Sequence, residues 1–280
     1  MASIDVDNVG LVYASADKSR TSALDGLTLH VDAGESVCVI GPSGCGKSSM
    51  LELVAGLRKP ASGEVRVDGQ GVAGPRRGTG YIPQGGGLLP WRDALGNAAL
   101  GLEVQHVPRA QRVQAARKAL ETVGLADRER AYPAELSGGM RQRLAVARCL
   151  AADCDVILAD EPFSALDAMT REQMQHVVME LWQRLGYTQV MVTHSVEEAV
   201  WLGQRVFVMT AGPGRVHAVV DNPGAGSGDW RSSAEFAAQC AQVRRLLGET
   251  METMGDDGAG PSDPTATPAD DPEPPQEARP

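Results

Sequence analysis

The stretch Gly41-Pro42-Ser43-Gly44-Cys45-Gly46-Lys47-Ser48 constrains the fold of this chain more than any other. It has the form G-x-x-x-x-G-K-S, in which consecutive backbone N–H groups curl around a phosphate. Its glycines let the backbone come close to the anion. A helix starting at the lysine adds the positive end of its dipole and unpaired N–H groups. In such a loop Lys47 neutralises the outer phosphates and the Ser48 hydroxyl holds Mg²⁺. The flanks agree. Ser36 to Ile40 is a short apolar run that reads as a buried parallel strand. Ser49 to Gly56 reads as a helix ended by glycine. The bland alternative is an ordinary glycine-rich turn. The chain has only four lysines in 280 residues, and one stands at the required position.

The rest of the chain is large enough to build a domain around that loop. A length of 280 residues, 42% hydrophobic, allows a sizeable core plus appendages. The net charge of −10 is uneven. Residues 255–280 hold seven acidic side chains against one arginine, so the remainder carries only −4. A mildly acidic body argues against a nucleic-acid-binding face. The five cysteines show no CxxC and no metal-ligand spacing, and read as reduced thiols of a cytosolic protein. Met1 to Asp5 predicts no secretory signal, and no apolar run is long enough to span a membrane.

Ile4–Tyr13 and Leu27–Val31 alternate apolar and polar residues, as strands of an antiparallel sheet do, with Ser15–Ser22 as a polar turn between them. Gly63–Gly69 and Gly80–Gln84 read as further strands. Gly85-Gly86-Gly87 then reads as flexible. Leu88-Leu89-Pro90-Trp91 is an apolar cluster in a loop, which suggests a partner surface rather than a loop tucked onto its own core. Asp93 to Ala152 is helical in pattern, including a helix over 108–123. Within it Ser137 is a good N-cap, and Gly138 and Gly139 leave the following helix start uncovered for an anion. Asp155–Ala159 is an apolar strand ending in Asp160-Glu161-Pro162. Acidic residues at a strand's carboxyl end stand where open α/β sheets bind ligands. The first carboxylate suits Mg²⁺ and the second suits orienting a water. Ser164–Asp167 opens a helix to about Leu185, and Gln189–Thr193 is another apolar strand with His194 just past its end. Ser195 and Glu198 have the spacing of a capping box. Val206–Thr210 and Arg215–Val220 read as a hairpin, and Ala234–Leu247 as a terminal helix. Residues 251–280, rich in proline and acid, read as a disordered tail beyond a domain spanning 1–250.

Taken together, the chain resembles the ATP-binding subunit of an ABC transporter over about residues 3–247. The resemblance rests on the loop at 41–48, Gln84 after a strand, Leu136-Ser137-Gly138-Gly139-Met140-Arg141-Gln142-Arg143, Leu158-Ala159-Asp160-Glu161-Pro162, Ser164-Ala165-Leu166-Asp167 and Thr193-His194. It implies an α/β P-loop ATPase core with a mostly parallel sheet. An antiparallel β subdomain and an inserted α-helical subdomain at about 88–153 would accompany that core. It implies that Tyr13 stacks on adenine and that Gly41, Pro42, Ser43, Gly44, Cys45, Gly46, Lys47, Ser48 and Ser49 bind ATP. Ser48, Asp160 and Gln84 would hold Mg²⁺. Glu161 would be the general base, with Gln84 and His194 beside the γ-phosphate. Ser137, Gly138 and Gly139 would reach the ATP of a second copy, and Asp167 would belong to the family's D-loop. The implied partners are that second copy, integral-membrane permease subunits and, indirectly, an extracytoplasmic solute-binding protein. The implied place is the cytoplasmic face of the membrane, as a peripheral subunit. Leu88–Trp91 and the ending Ala234–Gly248 look similar to importers of the nitrate, sulfonate and taurine group. The alternative is a soluble ABC ATPase acting on a macromolecule, but such proteins often carry long inserted arms, which this chain lacks. Two departures stand out. Lys47-Ser48-Ser49 replaces the usual Lys-Ser-Thr, and Gly85-Gly86-Gly87 replaces bulkier residues, putting the stiffness of that loop in doubt.

Overall fold

A computed structural model describes residues 1–14 and 20–256. The chain runs β1 (Ile4–Ala14), β2 (Arg20–Val31), β3 (Ser36–Ile40), α1 (Lys47–Val54), β4 (Ser62–Val67), β5 (Gln70–Gly71) and β6 (Thr79–Ile82). Four helices follow: α2 (Ala94–Ala98), α3 (Leu100–Val104), α4 (Arg109–Thr122) and α5 (Gly138–Ala151). Then come β7 (Val156–Asp160), α6 (Ala168–Leu185), β8 (Thr188–Thr193), α7 (Val196–Leu202), β9 (Arg205–Met209), β10 (Val216–Asp221) and α8 (Ala234–Asp256).

Among the described residues two sheets form. One is antiparallel, in the order β2-β1-β4-β5, and the other runs β10-β9-β3-β8-β7-β6. In the second, β3, β6, β7, β8 and β9 are parallel, and β10 closes the edge antiparallel to β9. The parallel strands are buried on both faces, which explains their unbroken apolar runs. Side-chain alternation then sends each strand into two cores. Val37 and Val39 of β3, Val156 and Leu158 of β7, and Val190 and Val192 of β8 join α1 and the antiparallel sheet. Cys38 and Ile40, Ile157 and Ala159, and Met191 join the helices on the other side. The helical segment lies between β6 and β7, where an inserted subdomain was expected, and packs through Ala98, Leu120, Leu144 and Ala147.

Three details differ from the sequence reading. Strand β2 starts at Arg20, earlier than Leu27, so part of the expected turn is strand. Residues 15–19 of that turn, and the expected tail from 257 onward, lie outside the described residues. Helix α8 continues through Gly248 to Asp256 instead of stopping near Leu247. Thr250, just past the expected end, is 1% exposed, while Met251 is 59% exposed. Ser164–Leu166 precede α6 as a turn, and the helix proper starts after Asp167, whose carboxylate caps it by accepting from the Thr170 N–H at 3.0 Å.

Candidate functional site

The carboxyl ends of β3, β8, β7 and β6 lie side by side, so four sequence-distant segments meet along one sheet edge. They deliver Gly41–Lys47, Thr193-His194, Asp160-Glu161 and Pro83-Gln84. This is where open α/β sheets place ligands.

The loop after β3 is shaped by its glycines. Gly46 has φ 93°, and a Cβ there would lie 2.6 Å from Leu24 Cδ2 and 2.7 Å from the Ala23 carbonyl. Gly44, at φ 78°, has no heavy atom within 4 Å of where its Cβ would be, so that side of the loop is open. Lys47 is buried, and its ammonium donates at 2.8 Å to the carbonyls of Gly41 and Pro42. Cys45 is fully buried under the loop, and burial pushes its thiol up, partly offset by Lys47. Tyr13, Lys47, Ser48, Ser49 and Glu161 share one open cleft of about 720 Å³. The Tyr13 hydroxyl lies 2.9 Å from Ser49 Oγ, so the serine that replaces the usual threonine has a defined partner.

Asp160 is 7% exposed. Burial raises its carboxyl above the ordinary carboxylate range, a hydrogen bond from Ser48 opposes this, and the neighbouring Glu161 charge adds to it. Tyr81, which the sequence reading passed over, also hydrogen-bonds Asp160, and burial pushes its phenol up to about 12. Ser48 and Asp160 are therefore already in contact. They are hard oxygen donors, one of them a desolvated anion, which suits Mg²⁺. Among the described residues no three His, Cys, Asp or Glu side chains cluster as a metal cage. A divalent ion here would need phosphate oxygens to complete its shell.

Glu161 follows β7 with φ 45°, a left-handed conformation that a glutamate adopts only under constraint from its surroundings. Gln84 Nε2 donates to Glu161 Oε2 at 3.3 Å, and His194 Nδ1 lies 3.3 Å from the same oxygen. One carboxylate oxygen thus gathers the residues that end three strands. Gln84 presents its amide nitrogen to Glu161, so of the three expected metal ligands only Ser48 and Asp160 adjoin each other.

Ser137 caps α5 as expected, accepting from the Met140 N–H at 3.3 Å. None of Ser137, Gly138 and Gly139 lines the cleft. Their glycines answer a packing demand as well. A Cβ on Gly138 would lie 2.7 Å from Leu166 Cδ2, and one on Gly139 would lie 2.8 Å from Thr170 Cγ2. The start of α5 is thereby seated against the turn and helix headed by Asp167. The capping box at Ser195 is half made. Ser195 Oγ accepts from the Glu198 N–H at 3.3 Å, while the Glu198 carboxylate instead accepts the Thr193 hydroxyl at 2.6 Å.

Two supporting residues escaped the sequence reading. Asn97, fully buried, accepts from the Leu89 N–H at 2.7 Å and donates to the carbonyls of Leu89, Arg92 and Asp93. It fixes the loop that carries Trp91, whose side chain is 71% exposed. Arg148 of α5 reaches the carbonyls of Gly86 and Gly87. A lone Asn in a helical pattern was the only available signal for the first, and nothing local marked the second.

The pattern of the ABC transporter family matches residues 24–164, half of the chain. The chain belongs to the ABC transporter ATP-binding family. Curated relatives of this ABC family agree over greater lengths. The taurine import ATP-binding protein of Roseobacter denitrificans is 42% identical over 260 residues, covering 91% of this chain and 97% of its own. The nitrate import ATP-binding protein of Synechocystis sp. is 46% identical over 213 residues, covering 76% and 80%. Among solved structures, a dimeric ATP-binding cassette in a post-hydrolysis state bound to ADP and Pi superposes with TM-score 0.68 at 32% identity. It covers 78% of this chain and 98% of that one. The mixed sheet, antiparallel sheet and inserted helices are thus those of an ABC cassette.

Proposed function

We propose that this chain is the ATP-hydrolysing subunit of an importer, and that two copies energise uptake of a small anionic solute such as nitrate, sulfonate or taurine. The observation that carries the catalytic part is the meeting of Gln84 and His194 on one oxygen of Glu161, at the mouth of a cleft floored by the phosphate-binding loop. Phosphoryl transfer needs positioning and charge neutralisation more than covalent help. Lys47, whose third N–H donor lies beyond the two that its loop carbonyls take, would reach the β- and γ-phosphates. Glu161 would accept a proton from the attacking water or orient it. His194 and Gln84 hold that carboxylate and would contact the γ-phosphate side. Ser48 and Asp160, with Gln84 at the edge, would hold Mg²⁺, which supplies charge neutralisation at the phosphates. Tyr13, which lines the same cleft, would receive the adenine ring.

The importer reading draws on relatives named for taurine and nitrate import. It also draws on apolar surface. Trp91, Val104 and Leu57 are 71%, 70% and 53% exposed. A groove of about 590 Å³ is bordered by Leu57, Val104, Arg76 and Arg148. A permease segment with apolar side chains would cover it. Among the described residues no helix is long and apolar enough to cross a membrane, so the pore would belong to the permease. A solute-binding protein outside the membrane would deliver the cargo.

Ser137, Gly138 and Gly139 stand outside their own chain's cleft, which supports a head-to-tail dimer in which they complete the partner copy's site. A ligand held by both copies drives closure only through contacts to both. The test combines Lys47→Ala with Ser137→Arg in heterodimers bound to the permease, all in a Glu161→Gln background, and counts trapped ATP. One lesion on each copy leaves about one ATP per dimer, and both lesions on one copy leave almost none, because shared sites are lost pairwise. The reverse order would show that each chain is self-sufficient.

A further inference from the structure

Residues 83–87 form a turn that puts Gln84 at its corner. The Gly86 N–H donates to the Pro83 carbonyl at 2.8 Å, with Gly85 at φ 81°, the pattern of a type II turn. Gly86 and Gly87 continue with φ 82° and 59°. Three successive residues in this region are accessible to glycine and costly for other side chains. Such a stretch keeps little stiffness of its own, because glycine leaves the chain many alternatives. Yet Gln84 must present its amide to Glu161 at 3.3 Å. Something outside the loop has to supply the order.

Arg148 supplies it. Its Nη1 donates to the Gly87 carbonyl at 2.6 Å and its Nη2 to the Gly86 carbonyl at 3.0 Å. One planar guanidinium thus grips two consecutive peptide carbonyls, a two-pronged geometry that a point ammonium does not reproduce. Among the described residues Arg148 forms no ion pair, so its donors are not committed to a carboxylate. A basic residue in the last turn of α5 has a bland use, offsetting the helix dipole. That use requires no particular direction of the side chain, whereas this one spans 61 positions of sequence to reach two specific carbonyls. Arg148 also borders the groove beneath Leu57 and Val104. Its helix begins at Ser137.

We propose that Arg148 is a positioning residue that clamps the triglycine loop, holds Gln84 against Glu161, and ties that loop to the helix that starts at Ser137–Gly139. Movement at the groove or at the start of α5 is then passed to Gln84 through one rigid fork. The proposal rests on the reading above that Gln84 serves the ATP site.

The experiment uses the full chain assembled with its permease. Arg148→Met removes both donors while keeping an unbranched apolar stem. ATP turnover by the assembled complex is expected to fall roughly tenfold, in kcat rather than KM, since misplacing one group at a reacting centre has effects of this size or larger. ATP affinity stays within about twofold, because the phosphate-binding loop is untouched. Arg148→Lys, which keeps the charge but not the fork, gives an intermediate rate and covers the case in which Arg148→Met does not fold. The decisive arm is rescue. Gly85→Asn stiffens the turn from within, since asparagine tolerates positive φ and no atom lies within 4 Å of the added Cβ. Arg148→Met with Gly85→Asn recovers several-fold of the lost turnover if Arg148 acts through loop order. A loss with no rescue in a normally melting protein, or an Arg148→Lys variant that matches the parent, overturns the proposal. Gln84→Ala separates the two readings. If it leaves turnover normal, the placement of Gln84 in the site is wrong. If it impairs turnover while both Arg148 variants do not, only the clamp is wrong.

Discussion

Glu161→Gln is the sharpest perturbation of this site. The side chain is 23% exposed and touches Gln84 and His194 through a single oxygen, each at 3.3 Å. Both contacts are long, and each contributes at most about 0.5–1 kcal/mol to the fold. An amide keeps the shape and can still accept from Gln84. The backbone stays at φ 45°, where glutamine is no more strained than glutamate. The melting temperature is therefore expected to move by no more than about 2 °C. Lys47, Ser48 and the loop amides are unchanged, so ATP still binds. What disappears is the proton-accepting carboxylate. General-base assistance contributes roughly 10² to 10⁴ in rate, or about 3–5 kcal/mol of barrier. The assay measures phosphate release and nucleotide occupancy on the same permease-bound sample. The expected outcome is a site that fills with ATP and stays filled. Turnover within a few-fold of the parent, with occupancy unchanged, would refute the role of Glu161 and leave the convergence on its carboxylate as mere packing.

Gly139→Ala places a methyl 2.8 Å from Thr170 Cγ2 and 3.5 Å from Met174 Cγ, so it should destabilise the protein by about 1–3 kcal/mol, seen as a lower urea midpoint. Leu89→Ala with Trp91→Ala should leave ATP binding by the isolated subunit intact while permease co-purification drops, since a few large residues dominate most interfaces. Leu89 is part-buried and its backbone is held by Asn97, so a small loss of melting temperature accompanies this pair; outright unfolding would instead make the cluster core. His30 sits between Asp5 at 2.6 Å and Asp32 at 3.1 Å, and these contacts raise its pKa above 6.5. Its stabilising contribution is complete below that ordinary value and is lost as pH rises through the raised one. His30→Gln should flatten the stability profile across that window, by a small amount because the site is half exposed.

What the sequence made legible follows from how local each signal is. The loop at 41–48, the cap at Ser137 and the buried parallel strands are set by residues within a few positions of one another, and these were readable. The placement of Lys47, Asp160 and His194 along one edge was readable because strand ends in a parallel sheet point the same way. The supporting shell was not. Arg148 meets Gly86 and Gly87 across 62 and 61 positions, and the Thr193 hydroxyl donates to the Glu198 carboxylate while accepting the Ser195 N–H that a full capping box would have used. The terminal helix was expected to end near Leu247, but Gly248 lies in the helical run with open space where its Cβ would be, so nothing forces the chain to turn there. The exposed loop at Trp91 was readable as apolar, while the side chain that fixes it, Asn97, is a polar residue whose burial no local pattern announces.

Lys47 already has two acceptors at 2.8 Å in its own loop. An ammonium carries three N–H donors, and the third here faces only the weak acceptor Cys45 Sγ at 3.7 Å. The two carbonyl bonds therefore hold the charge in place without using it up, and one donor is left for an incoming anion. A side chain tethered in this way keeps little rotamer freedom to lose, so less of any new contact it makes goes into ordering it.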